Sequence, residues 1–344
     1  MLLGLAAILV YLYFFVGFEQ LFLGLEKINI EHFLLFYSLA LASALCGILF
    51  FALSWRRLLK ALQIEISAAK AFQYHLIANA VDLIVPSQTV GGELIRVQLV
   101  YREEGPGNYG CILSSAFVNR ILINVIYVFG LSAGVIIILT THSTMVSYVI
   151  GPLMIFLIGT LIYNAVLISM AAKRGTAKKL FTGFVRFIRV ISLGRFKGDK
   201  LLTRAEGTLL SFETGFQIFR EKPRHLIMPA VFLFLSWLAS LLSFLFVFYA
   251  LDYFSLPMDL LLVGFSLAVA LQGIMAAFSV GILDIFMTQF LSLYKITIAA
   301  SSIAVLLVRF VIFWFPIIAG YIVIQSKGAR SLLTANPDPD QDKK

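Results

Sequence analysis

Six apolar runs, at about 2–24, 32–54, 111–139, 146–171, 226–251 and 297–325, are each long enough to cross a lipid bilayer as a helix. Crossing requires about 20 mostly apolar residues, because the hydrocarbon slab is about 30 Å thick and a helix rises about 1.5 Å per residue. Hydrophobic residues make up 60% of the 344 and charged residues 13%, and the mean hydropathy is +0.96. That balance excludes a soluble domain. The fold class it predicts is all-α: a polytopic integral membrane helical bundle.

The opening "MLLGLAAILVYLYFFVGFEQ" has neither a basic start nor a small-residue cleavage signature, and reads as a retained first helix. Cys46 and Cys111 lie in or beside apolar runs, and His32, His75, His142 and His225 are scattered. Neither a disulfide framework nor a metal site follows from such spacing. No nucleotide, nucleophile-elbow or zinc signature stands in the right context, so no catalytic set, metal, cofactor or nucleic-acid partner is expected. Any activity is expected within the bilayer.

Two further segments, about 68–104 and 257–294, are apolar but interrupted, by "PSQTVGG" and by "SVGILD". Pro removes a backbone donor and Gly loosens the helix, which leaves polar backbone at membrane depth unless protein or water surrounds it. Such segments form re-entrant hairpins or broken helices that line a cavity. Charge orients them. Arg56, Arg57 and Lys60 follow the second run, thirteen Lys or Arg against four acids lie from Lys173 to Arg224, and Lys327 and Arg330 follow the last run. Positive loops stay in the cytoplasm, which predicts both termini inside, six full crossings, and the two broken segments entering from opposite faces. A count of eight crossings fits if each broken segment is more than a hairpin.

The domain plan is thus a transmembrane unit over 1–330, with a first half at about 1–171, a basic cytoplasmic stretch at about 172–225 and a second half at about 226–330. Within the stretch, "KKLFTGFVRFIRV" segregates its charges as an interfacial helix would. The tail 331–344 is predicted to be disordered.

His75, Asn79, Asp82 and Pro86 follow one another at spacings of four, three and four, along one helical stripe. After the break, "GGELIR" restarts a helix with Gly91 and Gly92 at its start, Glu93 in its first turn and Arg96 three residues on. Free N–H groups and the positive dipole end there would suit an anion. Glu93 and Arg96 also have an ordinary reading as a local pair at a helix start. An ionisable side chain in a membrane costs at least about 2.5–3.5 kcal/mol, so it is rare unless paired or facing water.

Arg120 and Arg309 each interrupt a long apolar run, 27 and 25 residues after Glu93 and Asp284. Asn79 and Gln272 stand 14 and 12 residues before those acids. The halves read as copies in opposite orientation, an inverted repeat. Either the two arginines aim at one central volume and can grip a phosphate, or each only neutralises its acid across helices.

On these residues the chain resembles the membrane region of the lysylphosphatidylglycerol synthase family, the flippase-like proteins. The first motif is similar to N…P…GGE…R, here Asn79, Pro86, Gly91, Gly92, Glu93 and Arg96; the second supplies Gly281, Asp284 where Glu is usual, Arg309, Trp314, Pro316 and Gly320, without the expected proline before Gly281. The resemblance implies a helical bundle in the plasma or inner membrane that moves an anionic or glycosylated lipid between leaflets. Its partner would be a phospholipid or lipid-linked headgroup. The soluble aminoacyl-transferring domain is expected to follow the membrane region, and the chain stops at Lys344, so lysyl transfer is not carried over. A membrane-embedded accessory or transferase in lipid or lipid-linked glycan biosynthesis, with Glu93 or Asp82 as base, and a lipid-sensing scaffold for a separately encoded enzyme are the alternatives; a homo-oligomer or a separately encoded biosynthetic enzyme would be the protein partner.

Overall fold

The computed structural model describes residues 29–84, 90–104, 108–141, 146–172, 199–274, 282–292 and 296–327, with Gly175, Thr182 and Tyr294. Among them every regular element is helical. Helix α1 (Ile30–Ala61) is followed by α2 (Ala68–Ile84), α3 (Val90–Glu104), α4 (Tyr109–Thr141) and α5 (Val146–Ala172). Then come α6 (Asp199–Glu221), a 3₁₀ turn (Pro223–Leu226), α7 (Ile227–Tyr249), α8 (Met258–Ile274) and α9 (Ile282–Ser292). The last are α10 (Ile298–Arg309), a π turn (Phe310–Trp314) and α11 (Phe315–Lys327). Four stretches, Ile30–Ala61, Tyr109–Thr140, Pro223–Tyr249 and Ile298–Ser326, are long and apolar enough to cross a membrane. They coincide with four of the six apolar runs. Run 146–171 is helical as α5; run 2–24, the segment "KKLFTGFVRFIRV" apart from Thr182, and the tail lie outside the described residues.

Helix α1 starts at Asn29, whose side-chain oxygen accepts from the Glu31 and His32 amides at 3.0 and 3.4 Å, satisfying two donors that a helix start leaves over. It packs along α7 in antiparallel register: Phe36 meets Phe246 and Tyr249, Ala40 meets Ser243, Gly47 meets Ser236, and Phe50 stacks on Phe232. Small residues make this seam. Ser236 and Ser243 donate to the carbonyls of Gly47 and Ala40, both at 2.8 Å, and a Cβ on Gly47 would come within 2.8 Å of Ser240 Oγ. In lipid, where apolar burial drives no association between helices, such close backbone contact and interhelical hydrogen bonds hold the pair.

The other long contacts come as a matched couple. Helix α11 lies against α2, with Gly320 on Leu76 and Ala80 and with Ile317 on Leu83, which Phe313 of the π turn also meets. Helix α4 lies against α8, with Gly134 on Leu262 and Val263 and Tyr127 near Phe265. Exchanging the halves carries α1 onto α7 and α2·α11 onto α8·α4. Because α1 and α7 are antiparallel, the axis relating the halves runs across the helices, which is the symmetry an inverted repeat requires. Both broken segments appear as helix pairs, α2 with α3 and α8 with α9, and each is tied near its base by a tyrosine and an acid. Tyr74 donates to Glu103, which Lys70 also reaches at 3.1 Å, and Tyr294 donates to Asp259 at 2.9 Å. Burial first, and Asp259 second, push the Tyr294 phenol up.

The basic stretch holds more than a surface segment. Helix α6 packs on α4 through Phe212, Phe216 and Phe219, spaced four and three apart. Gly110 and Gly215 let the two backbones approach, since a Cβ on Gly215 would strike Ser114 and one on Gly110 the Thr208 carbonyl.

In a background lacking Cys46 and Cys111, the pair Ala40→Cys with Ser243→Cys should cross-link on oxidation, whereas Ala40→Cys with Ser236→Cys should not; electrophoretic mobility reads both.

Candidate functional site

Helix α2 sets His75, Asn79 and Asp82 on one face, as the spacing predicts, and that face borders a cavity of about 500 Å³. Where α3 resumes, the Gly92 amide donates to Asp82 Oδ1 at 2.7 Å. Only glycine fits there, because a Cβ would collide with the Ala78 carbonyl oxygen and the Asp82 carboxylate. At the start of α3 the chain's own Asp82 thus takes one first-turn N–H, as a capping carboxylate does.

One residue on, Glu93 divides its carboxylate between two arginines. Its Oε1 accepts from Arg120 Nη2 at 2.8 Å, and its Oε2 meets Arg96 Nη2 as an ion pair within the same helix. Arg96 is 1% exposed, against 16% for Glu93 and 24% for Arg120. A buried guanidinium survives only if its charge is compensated. Beside Glu93, aromatic faces do this: the Arg96 guanidinium carbon lies 4.5 Å from the Trp55 ring centre and 5.4 Å from that of Phe51. A desolvated cation–π contact contributes about 2 kcal/mol. Phe51 is itself stacked on His75 at 4.3 Å. Trp55 is anchored by its indole N–H on Ser115 at 3.0 Å, and Ser54 donates to Asn119, the neighbour of Arg120, at 2.7 Å. Helices α1 and α4 thereby fix both arginines.

Compensation of charge leaves hydrogen-bonding capacity over. Arg96 Nε and Nη1, His75 Nδ1 and Asn124 Nδ2 are buried without a hydrogen-bond partner, and all three residues line the cavity. Ser236, Ser240 and Ser243 of α7 line it opposite, so the cavity sits where the two halves cross. Tyr127 and Tyr163 and the apolar Val311, Ile312 and Pro316 complete the wall. Pro316 has no N–H to give to residue 312, and the chain absorbs this in the wider π turn Phe310–Trp314, where Phe315 bonds back to Phe310.

Of the residues singled out in the sequence, Asn79, Asp82, Glu93, Arg96 and Arg120 converge on this cavity, with Gly92 forming the hinge contact and Gly91 in the first turn of α3. Arg309, in the last turn of α10, is 6% exposed and is not among the residues that line the cavity, whereas Val311 and Ile312 are. Pro86 and Gly281 lie outside the described residues, as do the side chains of Gln272 and Asp284. Phe51, Trp55 and the three serines build the site as well, outside the residues that spacing singles out. The serines carry a legible signal, three hydroxyls at spacings of four and three in an apolar helix, whereas an aromatic in an apolar run carries none. No group of three or more His, Cys, Asp or Glu among the described residues is placed to hold a metal.

Residues 1–320 match the family described as the lysylphosphatidylglycerol synthase TM region. The chain belongs to that family. A UPF0104 membrane protein of Pyrococcus horikoshii is 24% identical over 292 residues, spanning 84% of this chain and 86% of the relative. No solved structure matches. The cavity therefore belongs to a lysylphosphatidylglycerol synthase transmembrane region, a membrane protein with its polar residues gathered between its halves.

Gly92→Ala should destabilise the purified protein by about 1–3 kcal/mol, the range for a forced clash. Arg96→Met should cost about 2 kcal/mol, the worth of a desolvated cation–π contact, because Glu93 keeps Arg120, and Arg96→Lys should not restore it, since an ammonium cannot stack flat on Trp55. Thermal unfolding in detergent measures all three.

Proposed function

We propose that this protein is a lipid translocase, moving an anionic or glycosylated lipid between the leaflets of the cell membrane, with a membrane phospholipid or lipid-linked headgroup as its partner. The supporting observation is the pair of guanidinium groups, Arg96 and Arg120, held on the wall of a cavity of about 500 Å³ between helices long enough to cross the bilayer. That volume suits a small polar headgroup. Arginine's planar fork matches a phosphate diester. The wall is mixed: the headgroup meets the arginines, Asn79, Asn124 and the serines of α7, while acyl chains stay in lipid beside the apolar faces of α1 and α5. Both termini lie in the cytoplasm in this reading, with six crossings and the two broken segments entering from opposite faces, as the basic loops favour. The unit at 1–330 works as two inverted halves, and alternating access is a rocking of one half on the other about the α1–α7 seam.

Purified protein in vesicles of labelled phosphatidylglycerol should speed leaflet exchange over protein-free vesicles, and Arg120→Gln should slow it at least tenfold without a matching loss of thermal stability. Exchange no faster than in empty vesicles, across several headgroups, would overturn the proposal.

A further inference from the structure

Glu93 is an acceptor that Arg120 and Arg96 share, and it serves each with one oxygen. Around that carboxylate the cavity offers donors in excess. Arg96, 1% exposed, keeps Nε and Nη1 without a hydrogen-bond partner, and Asn124 Nδ2, on the wall of the same cavity, has none either. A buried donor left over costs free energy that an incoming acceptor recovers. Two guanidinium forks and an amide facing one small volume are the complement of an oxyanion with several oxygens, such as a phosphate monoester or diester. One carboxylate with two oxygens cannot satisfy them all. Asp82, on the same wall, accepts from the Gly92 amide through Oδ1.

We propose that Glu93 is a place-holder for the ligand's oxyanion: in the free protein it neutralises Arg120 and Arg96, and a phosphate group displaces it from Arg120 on binding. This rests on the reading of the cavity as a headgroup site and adds how that site accepts and releases its ligand. Glu93 keeps the two cations from being stranded when the cavity empties, and its return to Arg120 helps expel the anion. A carrier that held a bare Arg pair would bind phosphate tightly and release it slowly, since affinity is adjusted mostly through the off-rate. No covalent step is involved.

The test is calorimetric titration of the purified protein in detergent with inorganic phosphate and, separately, with dihexanoylphosphatidylglycerol; dihexanoylglycerol, which lacks the phosphate, is the control. Glu93→Gln should bind both anions at least tenfold more tightly than the wild type. Glu93→Asp, which keeps the charge but shortens the reach by one methylene, should shift in the same direction by less, and decides the matter if Glu93→Gln does not fold. Adding Arg120→Gln should abolish the gain. Asp82→Asn removes a negative charge from the same wall but leaves the 2.8 Å contact between Arg120 and Glu93 in place, so it should tighten binding by clearly less than Glu93→Gln. Equal tightening in Asp82→Asn and Glu93→Gln, tightening that survives loss of Arg120, or no tightening in either Glu93 variant overturns the place-holder. Phosphate binding that tightens as described, with no binding of the short-chain phospholipid and no leaflet exchange in vesicles, keeps the place-holder and overturns the lipid reading. Leaflet exchange with no tightening does the reverse.

Discussion

Glu93 stands between two guanidinium groups in a part of the protein where water is scarce, and the geometry of the first half follows from keeping it there. Each charge alone would be costly at membrane depth. Together they require α3 to lie beside α4, so that residues 27 apart in sequence meet at 2.8 Å. They also require α1 to supply Trp55 and Phe51 as faces for Arg96. Helix α3 in turn is held against α2 where the Gly92 amide bonds to Asp82. A hairpin glycine, an acid and two arginines thus form one mechanical unit.

The second constraint is the absence of a hydrophobic drive between helices in lipid. Glycine and serine take over, at Gly47 with Ser236 and Ser240, at Gly320 against α2, and at Gly134 against α8. Small residues bring backbones together, but along α7 they also present hydroxyls: Ser236, Ser240 and Ser243 both hold the seam and line the cavity. The crossing of the halves is therefore polar on one side and tightly joined on the other, which suits a hinge around a site. The π turn at Phe310–Trp314 adds a less regular segment next to the same cavity.

Much of the site was readable because a membrane makes polar residues conspicuous. The stripe of His75, Asn79 and Asp82 needed only helical spacing, and Glu93 with Arg120 stood out as opposite charges in apolar surroundings. The same reasoning does not give the phase of a helix: Arg309 is 6% exposed and is not among the residues that line the cavity. Helix α6 was hidden for the opposite reason: its stripe of Phe212, Phe216 and Phe219 lies in a stretch dominated by Lys and Arg, and net charge overshadowed periodicity.

By itself the sequence determined that the chain is helical and lives in a membrane, that two of its apolar segments break, and which charged residues must be buried or paired. Those follow from the thickness of the hydrocarbon layer and the free energy of exposing backbone or charge to it, which depend on local composition alone. Which partner each charge takes, which face of each helix meets the cavity, and how small residues align α1 against α7 were decided only in the tertiary structure. Contacts between residues 27 or 203 positions apart depend on the rotation and register of whole helices, and no local pattern encodes those.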